Sequence, residues 1–388
     1  MLSSRLPASL APTPLAAAMA RRRGRGGGVR DLTLSNPTLA GLAYPETLAT
    51  AWSNVAALTY DPHPSGTPAA RRAIAAWYAS AGEQVDPDQI VLTSSTSEAY
   101  SLLFKLLCDP GDAVLVPCPS YPLFEHLAQL DAVAVGRYAW LDAGRWTLAP
   151  DDLDTAISRR TRALVVVAPN NPTGSVPSPE EWLVIGEACR RHRLALIVDE
   201  VFTPYPLDAS AATLRSIRPA DVLSFRLNGL SKLIGLPQAK LGWIVVDGPD
   251  DLRRQALEAL DLVADTYLSV SAPVQVALPA LLEAGAVVRV QIQSRLQANL
   301  AAVTALAAGS PVDVRRPDGG WSVVLRVPRG GDPDDLPLAL LARDVLVQPG
   351  YFYDLPHDGY LVVSLLTPEA DFRAGIDVLC ALPATLLT

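Results

Sequence analysis

The chain has 388 residues, of which 49% are hydrophobic and 19% charged, and its formal net charge is -8. This length predicts two domains. The lack of an apolar run of about 20 residues argues against a membrane-spanning protein, and the negative charge argues against a nucleic-acid partner. The four cysteines and four histidines have no disulfide or metal-ligand spacing. We therefore predict reduced thiols, no metal site and a cytoplasmic protein.

Low-complexity sequence opens the chain. A proline- and alanine-rich stretch covers residues 12–20, and an arginine- and glycine-rich stretch covers residues 21–30. The first stretch is too short and wrongly flanked for a signal peptide, so we expect a short helix followed by a flexible basic linker.

Apolar strands then alternate with helical patterns, which is typical of βαβ units around a mainly parallel sheet. A long helical pattern begins at Leu252, is interrupted around residues 269–273 and resumes through Arg295. We assign residues 1–45 to an N-terminal arm and part of a small domain, residues 46–272 to a large domain, and residues 273–388 to a small α+β domain.

Polar residues lie where ligands of such a sheet bind. Residues 91–103 place hydroxyls ahead of a helical apolar pattern, and a helix N-terminus with free N–H groups favours an anion; these hydroxyls include Ser95, Thr96 and Ser97. One apolar strand ends at Asn170 and Asn171, and a later one ends at Asp199. Because ligands bind at the carboxyl ends of parallel strands, these polar ends should face one crevice.

Residues 228–243 set Lys232 in a turn where an ammonium would be poorly solvated. A lysine whose pKa is lowered by burial is nucleophilic toward carbonyl groups. The hydroxyl of Ser231 and the charge of Lys240 suit a nearby phosphate. By itself the segment could also be a surface turn with two solvated lysines, because short motifs have a high false-positive rate.

Four segments thus follow one another in the chain: the helix start in residues 91–103, the strand end at Asn170 and Asn171, the strand end at Asp199, and the lysine turn in residues 228–243. In this order they resemble the class I/II aminotransferases of pyridoxal-phosphate fold type I, and the resemblance covers nearly the whole chain from about Leu34 onward. The resemblance implies a three-layer α/β sandwich with a mainly parallel sheet, plus a smaller α+β domain. It also implies pyridoxal 5′-phosphate as cofactor, a homodimer with shared active sites, and an N-terminal arm that docks on the partner subunit.

The resemblance assigns a role to each site residue. Lys232 matches the Schiff-base lysine that also moves the substrate proton, and Asp199 matches the carboxylate that pairs with the pyridine nitrogen. Asn171 matches the donor to the 3′ oxygen, Tyr121 the aromatic that stacks on the ring, and Tyr60 a tyrosine that reaches the neighbouring subunit's phosphate. The phosphate cup matches Ser95, Thr96, Ser97, Ser231 and Lys240. An ordinary core tyrosine is the alternative for Tyr121.

The sequence departs from the family pattern at four positions. Lys240 replaces an arginine, Gly229 a serine of the phosphate cup, and Phe202 a tyrosine that donates to the 3′ oxygen. Tyr205, close by in the sequence, is the alternative donor for that oxygen. Val362 replaces the arginine that grips the substrate carboxylate, and a valine cannot do so.

Other groups must then hold the carboxylate. We consider backbone groups around Asn36, the side chain of Asn171, and Arg226, although arginines are mostly exposed residues without such a role. We expect an aminotransferase that moves an amino group from an amino acid to a 2-oxo acid. The alternatives are another reaction of the same cofactor, such as elimination, racemisation or cyclisation, and a non-catalytic sensor.

Overall fold

The computed structural model describes residues 3–7, 9–24, 28–208, 219–328, 332–356 and 359–382. Its helices are α1 Pro14–Gly24, α2 Glu46–Thr50, α3 Pro68–Ser80, α4 Thr96–Leu107, α5 Phe124–Leu130, α6 Pro150–Ala156, α7 Pro179–His192, α8 Leu230–Leu233, α9 Asp250–Asp265, α10 Ala272–Ala284, α11 Ala286–Ala307, α12 Asp335–Leu341 and α13 Glu369–Cys380. Its strands are β1 Arg30–Asp31, β2 Ile90–Thr93, β3 Ala113–Cys118, β4 Ala134–Asp142, β5 Trp146–Leu148, β6 Thr161–Val167, β7 Ala195–Asp199, β8 Ser224–Gly229, β9 Gly242–Asp247, β10 Asp313–Arg315, β11 Ser322–Arg326, β12 Val345–Leu346, β13 Gln348–Pro349 and β14 Tyr360–Ser364.

An eight-stranded sheet in the order β2-β9-β8-β7-β6-β3-β4-β5 forms the large unit. Strands β8, β7, β6, β3 and β4 run parallel, whereas β9 and β5 are antiparallel to their neighbours. Helices α4, α5 and α9 pack on one face, and α6 and α7 pack on the other. The predicted three-layer α/β fold is confirmed.

A second, antiparallel sheet in the order β10-β11-β14-β13 lies within residues 313–364. β1 pairs in parallel with β12, so the chain near residue 30 joins the C-terminal part of the molecule. The domain boundaries at residues 45 and 272 stay a prediction.

The first helix differs from expectation. Instead of ending near residue 20, α1 continues through the arginines to Gly24. It packs on its own chain, because Leu15 contacts Leu341 and Leu346 and Arg22 pairs with Asp344 at 2.6 Å. α1 therefore contacts its own chain through Leu15 and Arg22, and the expectation that this segment docks on a partner subunit stays a prediction.

The long helical pattern after Leu252 contains one more break than predicted. It forms α9, α10 and α11, and the last two meet at Gly285 with a bend of 54°. A Cβ atom at Gly285 would lie 2.6 Å from the Cβ of Ile234, so the bend allows the helix pair to approach the turn that follows Lys232. Within the described ranges no single helix is long and apolar enough to cross a membrane, although α10 and α11 together meet that test of length and composition.

Candidate active site

Lys232 lies on the single turn α8, directly after β8. The hydroxyl of Tyr205 donates to the Lys232 carbonyl oxygen at 2.6 Å and to the Leu233 carbonyl oxygen at 3.2 Å. These bonds satisfy carbonyl groups at the end of a helix too short to bond them internally. Tyr205 therefore fixes the backbone of the lysine, and its hydroxyl is committed there instead of replacing the missing tyrosine at Phe202.

The amine of Lys232 is largely removed from water. Its Nζ lies 4.9 Å from the centroid of the Trp321 ring and 5.8 Å from that of Phe202. Burial lowers the pKa of Lys232, and the charge of Asp199 opposes this shift in part. A larger neutral fraction makes the amine a better nucleophile and proton acceptor.

Asp199 ends β7 and is buried. Tyr100 on α4 donates its hydroxyl to Oδ2 at 3.1 Å, and the Val201 N–H donates to Oδ1 at 3.2 Å. Burial raises the pKa of this carboxyl to about 6, against the effect of those two hydrogen bonds. A carboxylate held at this depth favours a cationic partner, as a protonated ring nitrogen would be.

The predicted anion site lies at the start of α4. Ser95 caps the helix by accepting from the Glu98 N–H at 3.1 Å, and Thr96 and Ser97 form its first turn. Glu98 accepts from Ser94 N–H at 2.6 Å and from the Ser269 hydroxyl at 2.8 Å. The helix start thus offers hydroxyl and N–H donors at its positive end.

Two glycines bring the lysine turn against this helix start. Gly229 and Gly242 are paired residues of β8 and β9. A Cβ atom at Gly229 would lie 3.0 Å from the Gly242 Cα, and one at Gly242 would lie 3.1 Å from the Ser95 carbonyl carbon. The glycine that replaces a serine at position 229 is therefore explained by close backbone packing.

The other residues predicted to bind the cofactor differ in how far they are buried. Asn170 is buried and donates to the Pro119 carbonyl oxygen at 3.2 Å, while Asn171 is half-buried. Tyr121 is 39% exposed, and its ring centroid lies 6.1 Å from that of Phe124; burial, followed by the charge of Asp199, raises the pKa of its phenol. Lys240 is exposed, and its backbone is in the left-handed helical conformation, with φ of 51°.

Arg226 is not a candidate for gripping the substrate. Its guanidinium is 2% exposed and pairs with Asp247 at 2.6 Å, Glu83 at 2.8 Å and Glu200 at 3.6 Å. Leu227 is the register partner of Asp199, and successive side chains of a strand alternate between faces. Arg226 therefore points to the opposite face of the sheet from Asp199, into an internal ion-pair network, and this assignment was wrong.

Three further positions were singled out from the sequence. Tyr60 is 77% exposed, as a residue that serves another subunit would have to be. The Asn36 side chain caps the turn after it by accepting from the Thr38 N–H at 3.0 Å. Val362 is 1% exposed, within an apolar cluster.

Sequence reasoning missed Tyr100 and Trp321. Tyr100 lies four residues after Thr96, so it shares a helix face with the start of α4, and that spacing was the available signal. Trp321 precedes β11, far along the chain, and no local pattern links it to Lys232. Its buried indole N–H has no acceptor among the described residues.

The family profile described as "Aminotransferase class I and II" matches residues 56–376. The chain belongs to this family. The alanine aminotransferase of Mycobacterium tuberculosis H37Rv is 32% identical over 265 residues, which are 67% of this chain and 61% of that protein. The glutamate-pyruvate aminotransferase AlaA of Escherichia coli K12 is 31% identical over 65% of this chain and 63% of its own length. The chain thus matches under two thirds of the length of these relatives.

Solved structures of aminotransferases cover nearly the whole chain. An aminotransferase from Escherichia coli aligns with a TM-score of 0.86 at 26% identity, over 98% of this chain and 97% of its own. Alanine aminotransferase from Pyrococcus furiosus aligns with a TM-score of 0.87 at 23% identity, over 98% and 99%, and shows the shared fold.

Members of this aminotransferase family use pyridoxal 5′-phosphate, and the residues present fit that group. The desolvated amine of Lys232 suits an aldehyde, the buried carboxylate of Asp199 suits a ring cation, and the start of α4 suits a phosphate. The close crossing at Gly229 and Gly242 brings the lysine turn and the phosphate end together.

Proposed function

We propose that the protein is a pyridoxal-phosphate-dependent aminotransferase that moves an amino group from an amino acid to a 2-oxo acid in two half-reactions. The observation that carries the proposal is a desolvated amine in the same region as a buried carboxylate: Lys232 Nζ lies 4.9 Å from the centroid of the Trp321 ring, and buried Asp199 accepts a hydrogen bond from Tyr100. A desolvated amine and a carboxylate of raised pKa are matched to accept a proton and to face a cation, respectively.

The cofactor, when bound, supplies a ring that withdraws electrons from the carbon that loses its proton. The protein's own groups would hold that ring. Asp199 would accept a hydrogen bond from the ring nitrogen, Asn171 would donate to the 3′ oxygen, and Tyr121 would pack on the ring. The phosphate would be bound by the start of α4 and its neighbours: Ser95, Thr96, Ser97, Ser231 and Lys240.

Lys232 is the proposed proton carrier. Its lowered pKa increases the neutral fraction that can accept the proton from the substrate α-carbon. Tyr205 keeps the lysine backbone in place through one hydroxyl hydrogen shared between the Lys232 and Leu233 carbonyl oxygens, and the rings of Phe202 and Trp321 exclude water from the amine. The same amine would then donate this proton to the cofactor.

We also propose a cytoplasmic homodimer in which Tyr60 completes the partner's phosphate site. Its 77% exposure supports a role outside its own subunit. Mixing inactive Tyr60→Ala and Lys232→Ala proteins should restore some activity, because one hybrid site then has both residues intact. No recovery after proven subunit exchange would refute sharing.

L-alanine and L-glutamate are the first donors to test, because the matched relatives are named alanine and glutamate-pyruvate aminotransferases. The protein, reconstituted with cofactor, should release one 2-oxo acid per site from a donor and return the amino group to pyruvate or 2-oxoglutarate. Lys232→Ala should abolish both steps and retain bound cofactor. Sodium borohydride should attach the cofactor to Lys232, and a peptide map with the label elsewhere would refute its role.

A second candidate is another reaction on an amino-acid-like substrate: elimination, racemisation or a biosynthetic cyclisation. The apolar burial of Val362, where the resemblance implies an arginine, favours it, because the carboxylate grip differs from the family pattern. Loss of the cofactor's visible band without release of a 2-oxo acid would support this candidate. A sensor is less favoured, because binding alone requires neither a proton-accepting lysine nor Asp199.

A further inference from the structure

The position that lacks the expected arginine has a polar neighbour. Val362 pairs in register with Val324 of β11 on one side and with Gln348 of β13 on the other. Directly opposed residues of an antiparallel pair point to the same face, with Cβ atoms about 4.5–5.5 Å apart. The Gln348 side chain therefore leaves the sheet beside Val362 and in the same direction.

This face of the second sheet packs on the large unit near the carboxyl end of β6. Val362 and Tyr353 share an apolar cluster with Ala168, which directly follows β6 and precedes the two asparagines of the site. The carbonyl oxygen of Tyr353 accepts from the Ser120 N–H at 2.9 Å, next to Tyr121. The Gln348 side chain thus lies at the seam where the second sheet meets the carboxyl ends of the first.

The carboxamide of Gln348 has a defined direction. The hydroxyl of Tyr353 donates to Gln348 Oε1, and a planar amide then presents its NH₂ group away from that oxygen. Among the described residues, Nε2 has no hydrogen-bond acceptor. Burial, followed by the proximity of Tyr121, raises the pKa of the Tyr353 phenol, so Tyr353 remains a neutral donor that keeps the amide oriented.

We propose that Gln348, oriented by Tyr353, receives the carboxylate end of the substrate where relatives use an arginine. The inference rests on the proposed function for its amino-acid substrate and names the specificity residue of that site. Gln348 contributes hydrogen bonds but no charge, and Tyr353 is a positioning residue.

A neutral amide distinguishes ligands differently from a guanidinium. It donates to a carboxylate and also to the oxygen of a carboxamide, whereas a bidentate arginine strongly favours the carboxylate. This protein should therefore accept amino-acid amides better than an enzyme with arginine at position 362. Loss of a hydrogen bond to a charged group corresponds to about ten- to a hundredfold in affinity.

The test uses the cofactor-loaded protein with 2-methylalanine and 2-methylalaninamide. Neither probe has a hydrogen on the α-carbon, so both report binding through the cofactor's visible absorption without amino transfer. Gln348→Glu replaces the NH₂ donor by an anionic oxygen of similar size. The matched control is Gln297→Glu, at an exposed position of α11. Cofactor content and circular dichroism check that each variant is folded.

We expect Gln348→Glu to weaken binding of 2-methylalanine at least tenfold and of 2-methylalaninamide less than threefold. Tyr353→Phe should shift the ratio of the two dissociation constants, for 2-methylalanine and 2-methylalaninamide, two- to fivefold. Gln297→Glu should change neither constant. If Gln348→Glu does not fold, Gln348→Leu should show the same selective loss.

Equal losses for both probes, or none, in the folded Gln348 variant overturn the inference. A wild-type protein that binds neither probe overturns it too. If the wild type binds both probes and the ratio shifts as expected, but no amino acid yields a 2-oxo acid, only the aminotransferase function fails.

Discussion

Replacing Asp199 by asparagine should stabilise the cofactor-free protein at neutral pH. Burial raises the pKa of this carboxyl from 3.8 to about 6. Between pH about 4 and 6 the folded state therefore binds more protons at Asp199 than the unfolded state does. The free energy of unfolding falls as pH rises through that range and levels off above it.

The structure sets the magnitude of this effect. A shift of about 2 pKa units corresponds to about 3 kcal/mol of lost stability at pH 7.5. The amide is a poorer acceptor than the carboxylate for the Tyr100 hydroxyl and the Val201 N–H, which costs about 1 kcal/mol. We expect cofactor-free Asp199→Asn to be about 2 kcal/mol more stable than the wild type at pH 7.5.

Urea unfolding of both cofactor-free proteins, followed by tryptophan fluorescence, measures the difference. From pH 7.5 to pH 4.5 the stability advantage of the variant should fall by about 2 kcal/mol, because the wild-type carboxyl becomes protonated. Asp377→Asn, at an exposed position of α13, is the control and should show no comparable pH dependence. A stability difference that is absent at pH 7.5, or equal at both pH values, would refute the reasoning. The same Asp199→Asn variant should lose most of its turnover when loaded with cofactor.

Three further predictions concern the surroundings of the site. Tyr205→Phe should lower the free energy of unfolding by about 1–3 kcal/mol and reduce kcat, because the Lys232 and Leu233 carbonyl oxygens lose their donor; unchanged urea unfolding would contradict this. Arg226→Met should destabilise the fold by about 3–5 kcal/mol, because it leaves buried carboxylates unpaired. The folded fraction of this variant should keep the wild-type KM; a raised KM with normal stability would show that Arg226 binds the substrate. Phe202→Tyr should lower the pKa seen in a pH titration of the cofactor's visible band, since a phenol donor favours the deprotonated form; an identical titration would show that the new hydroxyl does not reach the 3′ oxygen.

The position of Asp199 was predictable from the sequence, because an apolar strand of a parallel sheet that ends in a carboxylate presents it at the ligand-binding edge. The approach of Lys232 to Asp199 was expected only from the family resemblance, because the sequence by itself marks the lysine segment as a turn. Strand position alone could not exclude Arg226, because the register that pairs Leu227 with Asp199, and so turns Arg226 to the other face, is a property of the folded sheet.

Other features depend on distances that no local pattern contains. The contact of Tyr100 with Asp199 depends on how α4 is rotated against the sheet, and the contact of Trp321 with Lys232 depends on how two sheets approach each other. The break at Gly285 likewise reflects the approach of Ile234, about fifty residues earlier in the chain. Tertiary packing determines each of these features, and neither residue propensities nor the spacing of motifs in the sequence can predict them.

The crossing of Gly229 and Gly242 also limits how this site can evolve. A serine at either position would place its Cβ about 3.0–3.1 Å from backbone atoms, so the neighbouring backbone would have to yield by a few tenths of an ångström. A lineage that gains a phosphate-binding hydroxyl at position 229 is therefore expected to show a small shift of β9. The two positions are expected to vary together among relatives, and a chain with serine at 229 should show a wider separation of β8 and β9 at this point.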